Sequence, residues 1–151
     1  MRFSTHSHCN GINRVPPRTK EEIEVAIASV QVRPERGATT RIREAIISSL
    51  MSHGWSSEVP VAKNSDMTIT SMKESVGLCL QTGNMARMYA DLMKLQTLYL
   101  DNSISAAALI LPSQPLALVL GDNIAHSLRL ERELEIFRKV FHVPALIFGL
   151  E

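Results

Sequence analysis

Only two cysteines, Cys9 and Cys79, occur in 151 residues, so no disulfide framework braces the chain and its stability has to come from apolar packing. With no apolar leader after Met1, both read as reduced thiols of a cytoplasmic protein. Net charge is also nearly absent. Lys plus Arg number 16 against 15 Asp plus Glu, which removes any general electrostatic case for nucleic-acid or anionic-membrane binding and leaves only local patches to carry one. Long apolar runs are missing too: the longest, ISAAALILPSQPLALVLG (104–121), is broken by Pro112 and Pro115 into halves too short to cross a bilayer, so no membrane partner is expected. There is no Gly-rich phosphate loop, no dinucleotide fingerprint, no nucleophile elbow around a serine and no His-x-x-x-His pair, and most large enzyme classes go with them. No internal repeat or low-complexity segment is visible.

The length suits one domain with a single core. Residues 1–18 show no periodicity and read as an irregular lead-in; His6, His8 and Cys9 lie close together there, but nothing downstream completes a four-ligand metal spacing. Thr19 to Glu22 has the form of a capping box, followed by Ile23, Ala26, Ile27 and Val30 on one helical face. After a polar link at 31–38, Ile42, Ala45, Ile46 and Leu50 mark a second amphipathic helix that Gly54 is placed to end. Arg41 and Arg43 near its start read as a solvated face.

From Val59 the pattern changes to strands. DMTITSMKESVGLCLQ predicts a hairpin turning at Lys73 and Glu74, with Met72 opposite Ser75, Thr70 opposite Gly77, Thr68 opposite Cys79 and Asp66 opposite Gln81. Met67, Ile69, Val76, Leu78 and Leu80 then share the other face. Asn84 can cap the helix that follows, with Met88, Leu92, Leu95 and Tyr99 near its buried side. The continuous apolar runs at 105–111 and 143–150, separated by a second strong helix at 123–141, imply parallel strands covered on both faces. The predicted fold class is α/β, a mixed β-sheet with a β-hairpin followed by alternating helices and strands.

VGLCLQTGNMARMYADLMKLQTLYL (76–100), with HGW before the hairpin, the opening SHCNG, Leu120-Gly121, ERELEIFRKV and the closing VPALIFGL, resembles the BglII-type restriction endonucleases. The likeness runs over most of the chain and is strongest from 76 to 150. It implies a restriction endonuclease-like, PD-(D/E)XK core, a homodimer, and cleavage of palindromic duplex DNA with magnesium. In such a site two acids on successive strands hold a hard cation that lowers the pKa of water and neutralises charge on the phosphate. A polar residue two positions after the second acid orients the attacking water. By that resemblance Gln81 falls in the water-orienting slot, Cys79 in that of the second acid and Thr70 in that of the first. Cys79 is a soft ligand and Thr70 carries no charge, so neither replaces a carboxylate on magnesium.

Asp66, across from Gln81 in the predicted register, and Glu58, just before the hairpin, are the candidate metal-binding and catalytic acids beside Gln81. Each also reads as a surface acid. Asn84 and Arg87, at a helix start after the hairpin, are the candidate DNA-binding residues, since free N–H groups and a guanidinium suit a phosphate. Arg87 reads equally as an ion-pair partner of Asp91. Lys63, Lys73 and Lys94 are further sources of positive charge. The leading expectation is a restriction endonuclease-like protein that binds duplex DNA and hydrolyses it if Asp66, Glu58 and Gln81 assemble a magnesium site. Its alternatives are a catalytically inactive relative serving as a DNA-binding or protein-interaction module, and a thiol enzyme built on Cys79. Because the chain stops after its last core strand, segments that embrace DNA are expected to be reduced.

Overall fold

A computed structural model describes residues 1–151. The chain opens with strand β1 (Phe3–His8) and the single turn α1 (Gly11–Arg14), where an irregular lead-in was expected. Apart from Phe3, β1 carries polar side chains, so the periodicity that marks a buried strand is absent; what orders it is backbone pairing with the last strand of the chain, from Phe3 opposite Leu150 to His8 opposite Ala145. Gly11 then passes so close to that strand that a Cβ would lie 2.0 Å from the Ala145 carbonyl oxygen. His8 is buried and donates from Nε2 to the Phe141 carbonyl at 2.8 Å.

Helix α2 (Pro17–Ala28) has Pro16 as its N-cap and so starts three residues earlier than the Thr19–Glu22 pattern predicts. Pro17 occupies its first turn, where a missing N–H does no harm. Glu22 is therefore no capping residue but a buried carboxylate, accepting from Lys73 Nζ at 2.7 Å and from Trp55 Nε1 at 3.1 Å. Helix α3 (Thr39–Ser52) follows as its apolar spacing requires. Then come β2 (Val59–Pro60), β3 (Thr68–Ile69), β4 (Ser71–Lys73) and β5 (Val76–Leu80).

The remaining elements are α4 (Met85–Leu100), β6 (Ala106–Pro112), the short α5 (Gln114–Leu120) capped by Ser113, α6 (Ser127–Phe137) and β7 (Ala145–Leu150). Five strands form a mixed sheet in the order β1-β7-β6-β5-β4, with β5, β6 and β7 parallel and both edges antiparallel. Alternation along the central strands splits the core in two. Val76, Leu78, Leu80, Ala108 and Ile110 face α2 and α3 through Ile23, Ile27, Ile42 and Ile46. Cys79, Ala107, Leu109 and Ile147 face α4 and α6 through Met88, Leu95, Leu130 and Leu134. The result is an α/β/α sandwich, in which parallel strands have no solvated face.

The hairpin departs from its predicted register. Its turn residues are Glu74 and Ser75, and Lys73 pairs with Val76, Met72 with Gly77 and Ser71 with Leu78. Both turn residues have positive φ, 48° and 62°, a region in which a residue with a Cβ costs about 1–2 kcal/mol. Tertiary contacts hold it there: the Glu74 carboxylate accepts from Thr19 at 3.3 Å, and the Ser75 carbonyl accepts from Ser105 N at 2.8 Å. Preceding Thr70, the chain leaves the sheet. β3 pairs instead with β2, Ile69 opposite Val59, and Ile69 packs on the α4 side rather than with Leu78 and Leu80.

Candidate functional site

Beyond the ends of β3 and β5, a cavity of about 500 Å³ opens between the first turn of α3 and one face of α4. Thr39, Thr40 and Arg43 line it from α3, Glu58 and Thr68–Thr70 from the loop and ribbon, Leu80–Gly83 from the end of β5, and Arg87, Ala90, Asp91 and Lys94 from α4. Asn84 caps α4 by accepting the Arg87 N–H at 3.1 Å, which sets the Arg87 side chain over the pocket mouth. The four α4 residues lie on one helical stripe, beside the apolar stripe of Met88, Leu92 and Leu95.

Gln81 sits at the pocket floor, buried, with both ends of its amide engaged. Nε2 donates to Asp91 Oδ2 at 2.7 Å, and Oε1 accepts the Gly83 N–H at 2.8 Å. Asp91 is itself buried, and its other oxygen takes Lys94 Nζ at 3.0 Å. Arg43 donates to the Leu80 carbonyl and lies 3.9 Å from Glu58, whose second oxygen accepts the Thr68 hydroxyl at 3.2 Å. Thr70 Oγ1 accepts the Leu80 N–H at 3.0 Å, so the hydroxyl substitutes for a ladder bond where the strand bends away.

Of the sequence-predicted residues, Gln81, Glu58 and Arg87 share this pocket, and Asn84 stands at its edge as the cap of α4. Asp66 does not join them. With the register moved and β3 peeled off, Asp66 lines a separate hollow with Val59, Lys63, Met72 and Leu98. Asp91 pairs with Lys94 rather than with Arg87. In the sequence, Lys94 reads only as one further source of positive charge, Asp91 only as an ion-pair partner of Arg87, and Arg43 as solvated surface. The spacing of 84, 87, 91 and 94 along one helix face was the available signal.

Cys79 is buried against α4, and burial, reinforced by the Asp91 charge, pushes its thiol well above the ordinary value. The nearby Lys94 and Arg43 charges pull the other way without reversing the shift. The thiol stays protonated and inert. Taken together, the two positions where magnesium ligands belong by resemblance hold a hydroxyl bonded to backbone and a buried neutral thiol, and the water-orienting position holds an amide turned onto Asp91. No three His, Cys, Asp or Glu side chains are grouped to hold a metal ion. Asp91 has both oxygens committed and Glu58 stands beside Arg43, so this donor set does not fit a hard divalent cation that needs free carboxylate oxygens.

A mixed sheet with an edge hairpin, a pocket at the hairpin's end and a helix lining it define a restriction endonuclease-like α/β core. The chain belongs to the restriction endonuclease BglII/BglIII family, whose model matches residues 2–150. Its backbone is similar to that of restriction endonuclease BglII solved as a complex with a DNA 16-mer, with a TM-score of 0.89 and 15% identity over 100% of this chain and 78% of that one. It is also similar to free BglII, with a TM-score of 0.74 and 16% identity over 100% of this chain and 80% of the other. At these identities the likeness shows the fold. No curated protein matches the sequence. No helix is long and apolar enough to cross a membrane.

Proposed function

We propose that this chain binds duplex DNA by its phosphate backbone in the pocket beside Gln81, and does so without cutting it. The observation that carries this reading is the convergence of Arg43, Arg87 and Lys94 on one cleft that Thr70 lines where the resemblance asks for the first metal acid, while Cys79, in the place of the second, is buried in the core beneath it. Three cations against Glu58 and Asp91 leave a net positive pocket on an otherwise neutral chain, which is what a backbone contact needs and what global charge does not supply. Asn84 and Arg87 contribute at the mouth, where the first turn of α4 presents N–H groups. Similarity to a BglII structure solved with DNA supports the ligand class.

The active unit in this reading is a homodimer, so that two pockets address both strands. An apolar hollow of about 300 Å³ lined by Tyr89, Leu92, Phe137 and Phe141, and flanked by exposed Met93, Ile136 and Val140, supports a second copy as its occupant. Membership of the BglII/BglIII family makes magnesium-dependent hydrolysis the competing outcome, with Glu58 and Gln81 as its residues and Asp66 as a more distant acid.

Mixed-sequence duplex incubated with the purified protein and magnesium tests the proposal. Binding without nicking, unchanged in Gln81→Ala and Asp66→Ala as regards cleavage, is the expected result. Magnesium-dependent nicking abolished by Gln81→Ala would overturn the non-cutting reading, and absence of duplex binding at low salt would overturn the DNA reading altogether. Sedimentation equilibrium, with Met93→Glu and Val140→Glu variants, tests the dimer.

A further inference from the structure

We propose that the Lys94 ammonium takes the place of the divalent cation in this pocket, so that the chain seats a phosphodiester oxygen beside Arg43 and Arg87 with no metal at all. The inference rests on the duplex-binding reading above and names how that site is charged.

The geometry behind it is the chain of contacts Lys94–Asp91–Gln81. An exposed lysine would be a mobile surface charge, but Lys94 is only 22% exposed and is anchored at 3.0 Å on a carboxylate that is itself 9% exposed. Asp91 is fixed from its other oxygen by the Gln81 amide at 2.7 Å, and Gln81 in turn by Gly83 N–H at 2.8 Å. A fixed positive charge is therefore held next to the residue that stands in the water-orienting slot, and it carries its own neutralising carboxylate with it.

Two consequences separate this arrangement from a metal site. A divalent cation entering the pocket meets an ammonium and two guanidinium groups, and the one buried carboxylate it needs is already bonded at both oxygens, to Gln81 and to Lys94. Conversely, the positive charge that a metal would bring to a phosphate is already present in a side chain. The hydrogen bond from Gln81 to Asp91 and the ion pair from Asp91 to Lys94 set the pair at the end of β5, two residues beyond Cys79. An ammonium on a flexible stem supplies charge and hydrogen bonds but does not lower the pKa of a bound water, which accounts for binding without hydrolysis in the same stroke.

Two measurements on the full-length chain test this. In the first, the protein alone is titrated with Mn2+ and the free-ion electron paramagnetic resonance signal is followed. Wild type is expected to leave the signal unchanged. Lys94→Met keeps the stem and frees one Asp91 oxygen, so it is expected to reduce the signal, and adding Asp91→Asn is expected to restore it. In the second, duplex affinity is measured in chelator and in Mg2+ at matched ionic strength. The wild-type complex is expected to be no tighter in Mg2+ than in chelator, because Mg2+ then acts only as a competing counterion of the DNA. Lys94→Arg, which preserves the positive charge, is expected to leave the free-Mn2+ signal unchanged like wild type and controls for misfolding of Lys94→Met. Uptake of Mn2+ by wild type, or duplex binding at least about tenfold tighter in Mg2+, overturns the inference while leaving duplex binding itself intact. Failure to bind duplex in either condition overturns the reading in the preceding subsection, and the Mn2+ titration then still decides whether Lys94 excludes a metal.

Discussion

Gln81 and Asp91, ten residues apart, meet through a 2.7 Å hydrogen bond from the amide Nε2 to the carboxylate Oδ2, tying the end of β5 to the face of α4. The contact is buried and one partner is charged, so it belongs to the stronger class of hydrogen bonds. Asp91→Ala is expected to destabilise the protein by about 1.5–3 kcal/mol, since it strands both the Gln81 amide and the Lys94 ammonium. Gln81→Ala leaves Asp91 its lysine and is expected to cost about 1 kcal/mol. Urea unfolding curves measure both, and equal losses would contradict the ordering.

The arginines divide by position. Arg43 and Arg87 line the pocket, whereas Arg41 is exposed and pairs with Glu35. Arg43→Ala and Arg87→Ala are each expected to weaken duplex binding and to reduce the slope of log affinity against log salt by about 1, with Arg41→Ala close to wild type. Fluorescence anisotropy over a salt series reads all three. Arg43→Ala is expected to lower stability as well, because its guanidinium also bonds the Leu80 carbonyl.

Cys79 is buried and its thiol is held protonated, chiefly by desolvation and then by the Asp91 charge. In native protein at neutral pH, iodoacetamide is expected to modify Cys9, which is partly exposed, and to spare Cys79 until the chain is unfolded. Mass spectrometry of peptides from native and denatured samples distinguishes the two. Rapid native labelling of Cys79 would revive a thiol-based activity.

Glu22 locks the hairpin to α2. Burial alone would raise its carboxyl, but hydrogen bonds from Lys73 and Trp55 and the charges of Lys73 and Arg18 outweigh it and hold the group below its ordinary value of 4.5. A carboxyl lowered on folding adds stability that is fully present above its unfolded value and is lost as pH falls through the folded one. Stability is therefore expected to decline below about pH 4.5 in wild type. The decline should be shallower in Glu22→Gln, which starts lower at neutral pH. Thermal unfolding between neutral pH and pH 3 tests this, and parallel curves for the two proteins would exclude Glu22 as a source of the acid sensitivity.

Most of the α/β architecture was legible in the residues. The apolar spacing of Ile42, Ile46 and Leu50, the Asn84 cap and the unbroken run around Leu109 each report on neighbours within a few positions, and helices and doubly buried strands are decided at that range. Strand β1 was not legible, because its side chains are polar and its partner lies at the opposite end of the chain. The hairpin register was not legible either. A shift of two residues preserves the alternation of faces, so the apolar pattern at Val76, Leu78 and Leu80 fits both registers, and Lys73-Glu74-Ser75 contains no glycine or asparagine to mark a left-handed turn.

By itself, then, the sequence determined the periodic elements, the parallel core strands and the kinship carried by residues 76–150, all of which depend on local spacing and on which side chains avoid water. Tertiary structure decided where the acids went. Thr19 holding Glu74 and Glu22 holding Lys73 settled the turn, the turn sent Asp66 away from Gln81, and the packing of α4 brought Asp91 and Lys94 in its place. Charged side chains that meet across a fold leave no periodic trace, because their partners are chosen by closure of the chain in space rather than by the residues beside them.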